Sequence, residues 1–173
     1  MSNNKQSWFW ARQRAADELD WARVEELDPI LIPRPLVLVT GAFDLIHAAH
    51  IRLLKTAREH AGKGSVLVAI NSDSSVKERK GPTRPILTWP ERAATIWALG
   101  LTDIMLEINS EEELDKLTMN LKPDYKVLGQ EYIPLCGKYP FMKEIIVRQN
   151  PLSISTSYII DRVKEALSRE VST

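Results

Sequence analysis

From Leu36 onward, short apolar runs alternate with amphipathic stretches. Leu36 to Thr40 (LVLVT) is continuous and rich in β-branched residues, the pattern of a strand covered on both faces. Leu45 to His60 carries Ile51, Leu54 and Ala57 on one side and Arg52, Lys55, Arg58 and Glu59 on others, which predicts a helix. Gly62 to Gly64 stops it. Ser65 to Ile70 (SVLVAI) reads as a second buried strand, followed by a long polar loop from Asn71 to Leu87. Thr88-x-x-Glu91 with Pro90 opens a helix that ends at Gly100. Asp103 to Ile108 predicts a third strand, and Ser110-x-x-Glu113 caps a helix running to Leu121. Tyr125 to Leu128 and Ile145 to Arg148 predict two more strands. Ser155 to Leu167 predicts the last helix, with Ile159, Ile160, Val163 and Leu167 as its apolar stripe. The alternation predicts an α/β fold: a Rossmann-like parallel sheet with right-handed crossovers and helices on both faces. Ligands of such sheets bind beyond the carboxyl ends of the strands, so the chemistry is sought in the loops after the first, second and fourth of these strands.

Ahead of this core, Trp10, Ala15, Leu19, Ala22, Val24 and Leu27 have loose helical spacing within Ser7 to Leu27. The expectation is a helical N-terminal arm over 1–35, broken by Asp28-Pro29 and Pro33-Arg34-Pro35, and one domain over 36–173. Trp8, Phe9, Trp10 and Trp21 are read as packing the arm onto the domain or a partner subunit rather than as a ligand cage. The net charge is zero, so no general basic field draws the chain to nucleic acid, and any bound phosphate must be held by local groups. Cys136 is the only cysteine, which excludes an internal disulfide and a Cys-rich zinc site and fits a reducing compartment. Met1 to Lys5 lacks the apolar core of a signal peptide, and no apolar run is long enough for a membrane span. A cytoplasmic chain is expected.

Directly after the first of these strands comes Gly41-Ala42-Phe43-Asp44-Leu45-Ile46-His47-Ala48-Ala49-His50. Two of the chain's three histidines sit here, three positions apart and so on one face of a helix. The start of a helix offers unpaired N–H groups and the positive end of a dipole, a ready anion site. Gly41 lets the backbone turn tightly beside a ligand. Two other readings stand beside this one: His47 in the core with His50 on the surface, or a metal site completed by Asp44. In the next loop Lys77, Arg79, Lys80 and Arg84 are cationic, which suits phosphate but also an ordinary solvated charge run. Ser155-Thr156-Ser157 suits a helix cap, and a cap and a phosphate site draw on the same orphan amides.

GAFDLIHAAH resembles the GxFDxxHxGH signature of the cytidylyltransferase-like nucleotidyltransferases. NSDSSVKERKGPTRPI, ERAATIWALGLTD and ISTSYII resemble, in order, stretches of the heptose-1-phosphate adenylyltransferase domain and the closing ISTT motif, over Leu36 to Leu167. The resemblance implies that His47 and His50 contact the triphosphate and stabilise the transition state. It places Gly41, Ala42, Phe43 and Asp44 beside the nucleotide, with Asp44 also near a Mg²⁺ that the phosphates mostly hold. It implies that Lys77 and Lys80 face phosphates, with Lys80 catalytic. It makes Arg92 a catalytic, nucleotide-contacting arginine, although a surface salt bridge is the alternative for that residue. Asn71, Gly129 and Glu131 fall in nucleotide-contacting loops, and Ser155, Thr156 and Ser157 face the triphosphate. The expected reaction is nucleotidyl transfer from ATP or CTP to a sugar phosphate or polyol phosphate with release of pyrophosphate, by a homodimer. A glycerol-3-phosphate-type cytidylyltransferase and a nucleotide-binding domain without turnover are the alternatives. The chain departs from the pattern at Ala49, where the signature has glycine, and at Leu128-Gly129-Gln130-Glu131-Tyr132, where the heptose group has KGGDY. Arg148 lies farther upstream of the closing motif than the arginine of related cytidylyltransferases.

Overall fold

The computed structural model describes residues 8–11, 20–23, 28–130, 137–148 and 154–171. In chain order the elements are β1 (Trp8–Ala11), β2 (Asp20–Arg23), β3 (Leu36–Gly41), α1 (Ala48–Ala61), β4 (Ser65–Asn71), α2 (Asp73–Lys80), α3 (Trp89–Ala98), β5 (Ile104–Ile108), α4 (Glu111–Leu121), β6 (Tyr125–Gly129), β7 (Lys143–Val147) and α5 (Thr156–Val171). They form one seven-stranded sheet in the order β2-β1-β5-β4-β3-β6-β7. Strands β3 to β7 pair in parallel. From β3 the chain winds outward through β4 to β5, then returns to β6 on the other side. The winding direction reverses between β3 and β6, and that is where a crevice opens at the strand ends.

The continuous apolar runs of β3 and β4 are explained by cover on both faces. Val37, Val39, Val66, Val68 and Ile70 pack with Leu54, Ala57 and Ala61 of α1 and Ala93 and Ile96 of α3. Their neighbours in the alternation, Leu36, Leu38, Leu67 and Ala69, pack on the opposite face with Leu114, Leu117 and Leu121 of α4. The predicted capping box is present: Glu91 accepts from the Thr88 backbone N–H at 2.8 Å and from its hydroxyl at 2.7 Å. Ser110 likewise caps α4 by accepting from the Glu113 N–H.

The structure differs from the sequence reading in three places. The described parts of the arm, β1 and β2, are strands where helical spacing predicted a helix over 7–27. Residues 12–19 and 24–27 of that span lie outside the described residues. β1 pairs antiparallel with both β2 and β5. An open sheet edge supplies ladder partners that outweigh a loose helical pattern, and Trp and Phe favour strands. Second, α2 occupies part of the span read as a polar loop; Val76 is its one buried apolar residue, so it shows no apolar stripe. Its N-terminus rests on Ser72, whose hydroxyl accepts from the Ser75 N–H at 3.2 Å. Third, α1 starts at Ala48 rather than Leu45, because Phe43 and Leu45 hold φ of 53° and 49°, outside helical space. No helix among the described residues is long and apolar enough to cross a membrane.

Candidate nucleotide site

The β3–α1 turn, residues 41–47, forms one wall of an open cavity of about 190 Å³ at the carboxyl end of the parallel strands. Gly129 at the end of β6, Val147 at the end of β7 and the start of α5 form the opposite wall. Lys80 and Arg84 reach it from the β4 side. At Gly41 an added Cβ would come within 3.2 Å of the Phe43 ring, so glycine lets the chain fold back on itself here. The positive φ of Phe43 and Leu45 is the kind of unfavourable backbone that folds retain at functional turns.

His47 and His50 both line this cavity. Their rings stack, with centroids 3.8 Å apart and planes inclined by 25°. Phe43 backs His50 at 5.2 Å between centroids. His47 is the N-cap residue of α1, its side chain makes no capping hydrogen bond, and no acid occupies the first turn. The positive end of the helix is therefore left to the cavity. Burial, and after it the positive charge of His47 and Lys80, pushes His50 down to about 3, so its ring is neutral near neutral pH. Its Nδ1 is buried with no hydrogen-bond partner among the described residues. The Lys80 ammonium is also pushed down, by burial first and then by Arg84 and Arg79. Burial is the larger cause of both shifts, and the neighbouring cations add a positive potential that a bound anion would relieve.

Asp44 and Arg92, both expected to contact the ligand, brace the turns around the cavity through their polar groups, and of the two only Asp44 lines it. Asp44 is 1% exposed. Its carboxylate accepts from Arg84 Nε at 2.8 Å and from the N–H groups of Ile86 and Leu87 at 3.0 and 3.1 Å. Burial pushes this carboxyl up, but the two N–H groups and the Arg84 guanidinium outweigh it and hold it below its ordinary value. Both oxygens are engaged inside the protein, so the expected metal role of Asp44 does not fit. Among the described residues no group of three His, Cys, Asp or Glu side chains is placed to hold a metal ion. Arg92, expected to be catalytic, is 0% exposed and is absent from the cavity wall. Its guanidinium donates to the carbonyls of Leu87 (3.1 Å), Asn71 (2.9 Å) and Ala42, and to Asp73 Oδ1 (2.6 Å). It ties together the turn after β3, the end of β4, the start of α2 and the approach to α3. The salt bridge weighed as its alternative is present, to the half-exposed Asp73, with Arg92 itself buried rather than on the surface.

The remaining expected residues divide by position. Gly41, Ala42, Phe43, Lys80, Gly129, Ser155, Thr156 and Ser157 line the cavity. The Ser155 hydroxyl caps α5 by accepting from the Tyr158 N–H at 3.2 Å. The Thr156 hydroxyl donates to the Asp44 carbonyl, which pins the start of α5 against the signature turn. Lys77 faces a neighbouring groove with Asp73 and Ile86 rather than the cavity. Asn71 presents its carbonyl to Arg92 and does not line the cavity. Glu131 lies outside the described residues. Two arginines of the wall had no assigned role in the sequence: Arg52, one turn along α1 from Ala49, and Arg148, just past β7. Spacing was the available signal for Arg52, since positions 49, 52 and 53 share a face. Ala49 also lines the cavity, so the methyl that replaces the signature glycine borders the ligand space.

The cytidylyltransferase-like family matches residues 38–162. The chain is 35% identical over 151 residues to the bifunctional protein HldE of Campylobacter concisus, covering 83% of this chain and 30% of that protein. It is 36% identical over 134 residues to that of Psychromonas ingrahamii, covering 75% and 28%. The chain thus spans about 30% of the length of these relatives. Among solved structures it resembles a lipopolysaccharide core biosynthesis protein from Thermoplasma volcanium, with a TM-score of 0.52 and 26% identity, covering 66% of this chain and 95% of that one. Pantothenate synthetase from Thermus thermophilus shares the fold, with a TM-score of 0.50 at 13% identity over 73% of this chain and 60% of that one. The match spans the sheet from β3 to the first turns of α5 and includes the histidine pair, and on it the chain belongs to the cytidylyltransferase-like nucleotidyltransferase family.

Proposed function

We propose that the chain transfers a nucleotidyl group from ATP to the phosphate of a sugar phosphate, with release of pyrophosphate. One observation carries this reading: two stacked imidazoles, one held neutral by its surroundings, open onto a cavity at the sheet's reversal point and the start of α1. The resemblance to the heptose-1-phosphate adenylyltransferase domain supports ATP. The likeness to a lipopolysaccharide core biosynthesis protein supports a sugar acceptor. A glycerol-3-phosphate-type cytidylyltransferase using CTP is the alternative within the same chemistry. The resemblance also supports a homodimeric cytoplasmic enzyme with 36–173 as its catalytic unit.

In this reading a phosphate oxygen of the acceptor attacks the α-phosphorus and the bond to the β-phosphate oxygen breaks. The nucleophile is already anionic, so the site's work is to hold two repelling anions in line and stabilise charge on the transferring group. His47, His50 and Lys80 suit that work, as do the amides at the starts of α1 and α5. With Asp44 engaged by Arg84, Mg²⁺ enters as part of the metal–triphosphate substrate, held by phosphate oxygens and water.

The test is pyrophosphate release with ATP and CTP in turn, against a panel of sugar and polyol phosphates. Release with ATP and a sugar 1-phosphate is expected. Release only with CTP and a polyol phosphate moves the chain to the cytidylyltransferase alternative. Nucleotide binding without release from any pair supports a binding domain without turnover, a reading favoured by the Ala49 methyl in the wall.

A further inference from the structure

We propose that Arg92 is a positioning residue that aims the backbone N–H of Phe43 into the cavity. This rests on the reading of the cavity as a polyphosphate site. Arg92 lies behind the turn, and its Nη1 donates to the Ala42 carbonyl. The Ala42–Phe43 peptide is trans, and across a trans peptide the carbonyl and the following N–H point in opposite directions. A carbonyl drawn inward to Arg92 therefore turns the Phe43 N–H away from Arg92, toward the side where Ala42 and Phe43 line the cavity. Among the described residues no carbonyl or side chain accepts from that N–H. Phe43, with φ of 53°, is followed by Asp44 at negative φ and Leu45 at 49°.

The guanidinium suits this task better than a single cationic point. Its fork reaches the carbonyls of Ala42, Asn71 and Leu87 at once, while Asp73 balances its charge. A lysine keeps the charge and loses the fork. Arg92 thereby fixes the turn relative to the ends of β4 and α2 without touching the ligand.

The experiment follows the Phe43 amide in ¹H–¹⁵N spectra of the full chain during titration with inorganic tripolyphosphate, in wild type and Arg92→Lys. The amide is expected to shift downfield in wild type. In Arg92→Lys, with thermal melting still cooperative, it moves little while tripolyphosphate continues to bind through the histidines and Lys80. In the pyrophosphate-release assay the same variant loses at least about tenfold in kcat while KM for the triphosphate changes less than about threefold, as when a donor is removed from a developing charge. If Arg92→Lys does not fold, the wild-type titration still decides whether the amide meets the anion. Added guanidinium, restoring the shift to Arg92→Ala, then tests the arginine. An amide that is unmoved in wild type while tripolyphosphate binds, equal shifts in both chains, or no rescue overturns the inference. If tripolyphosphate does not bind at all, the polyphosphate reading of the cavity falls with it.

Discussion

The ring of His50 lies on the ring of His47, centroids 3.8 Å apart, at the point where the chain leaves β3 and begins α1. Burial first, and then the neighbouring His47 and Lys80, keep the His50 ring neutral near neutral pH.

A pH dependence of stability follows. The folded-state pKa of His50 is about 3, below its ordinary 6.5, so the unfolded chain binds more protons between those values. Stability from this residue is fully present above pH 6.5 and is lost as pH falls toward 3, reaching a loss of about 1–2 kcal/mol near pH 5. Urea unfolding midpoints measured at pH 7 and pH 5 should diverge more for wild type than for His50→Asn.

Turnover should depend on the same ring. His50→Ala is expected to lower the rate of pyrophosphate release by at least about a hundredfold, the scale seen when a donor to developing charge is removed. Near-normal release in that variant would take His50 out of the reaction.

Asp44 is expected to act through the wall rather than through a metal. Asp44→Asn leaves Arg84, whose side chain is 10% exposed, without its counter-ion. Breaking a buried pair by removing one partner costs about 3–5 kcal/mol, which chemical denaturation would register. The Mg²⁺ concentration giving half-maximal activity should stay with the nucleotide concentration and not shift with this substitution. A large rise in that value would return Asp44 to the metal.

Gly64 offers a test that separates stability from the site. A Cβ there would sit 2.2 Å from the Pro35 carbonyl oxygen, at the opposite end of the strands from the cavity. Gly64→Ala forces the backbones of β3 and β4 apart at their start, a cost of about 1–3 kcal/mol or more. Thermal melting should fall by roughly 5–10 °C, on the scale of a few degrees per kcal/mol for a chain this size, with kcat at 25 °C unchanged.

Much of this was readable from the residues because two periodicities are written strongly. The apolar alternation in LVLVT and SVLVAI gave β3 and β4 to within a residue of their observed ends. The boxes Thr88-x-x-Glu91 and Ser110-x-x-Glu113 marked the starts of α3 and α4. α2 escaped because a short polar helix held by one buried valine and a serine cap has no apolar period to read. β1 and β2 escaped because their reason for being strands is the edge of β5, a partner remote in sequence. The site was legible where chemistry sits on adjacent residues, as at His47 and His50. It was not legible where function depends on which way a side chain turns. Arg92 and Asp44 stand in signature positions, yet their polar groups face the protein, and only the packing around them sets that direction.

The placement of β1 bears on how this protein can be handled. Without the first 23 residues, the outer rim of β5 would present bare N–H and C=O groups along a largely apolar strand, the sort of surface on which separate molecules stack. A chain shortened to the family-matched portion should therefore elute as assemblies whose size grows with concentration, and supplying residues 1–27 as a separate peptide should return it toward a single species.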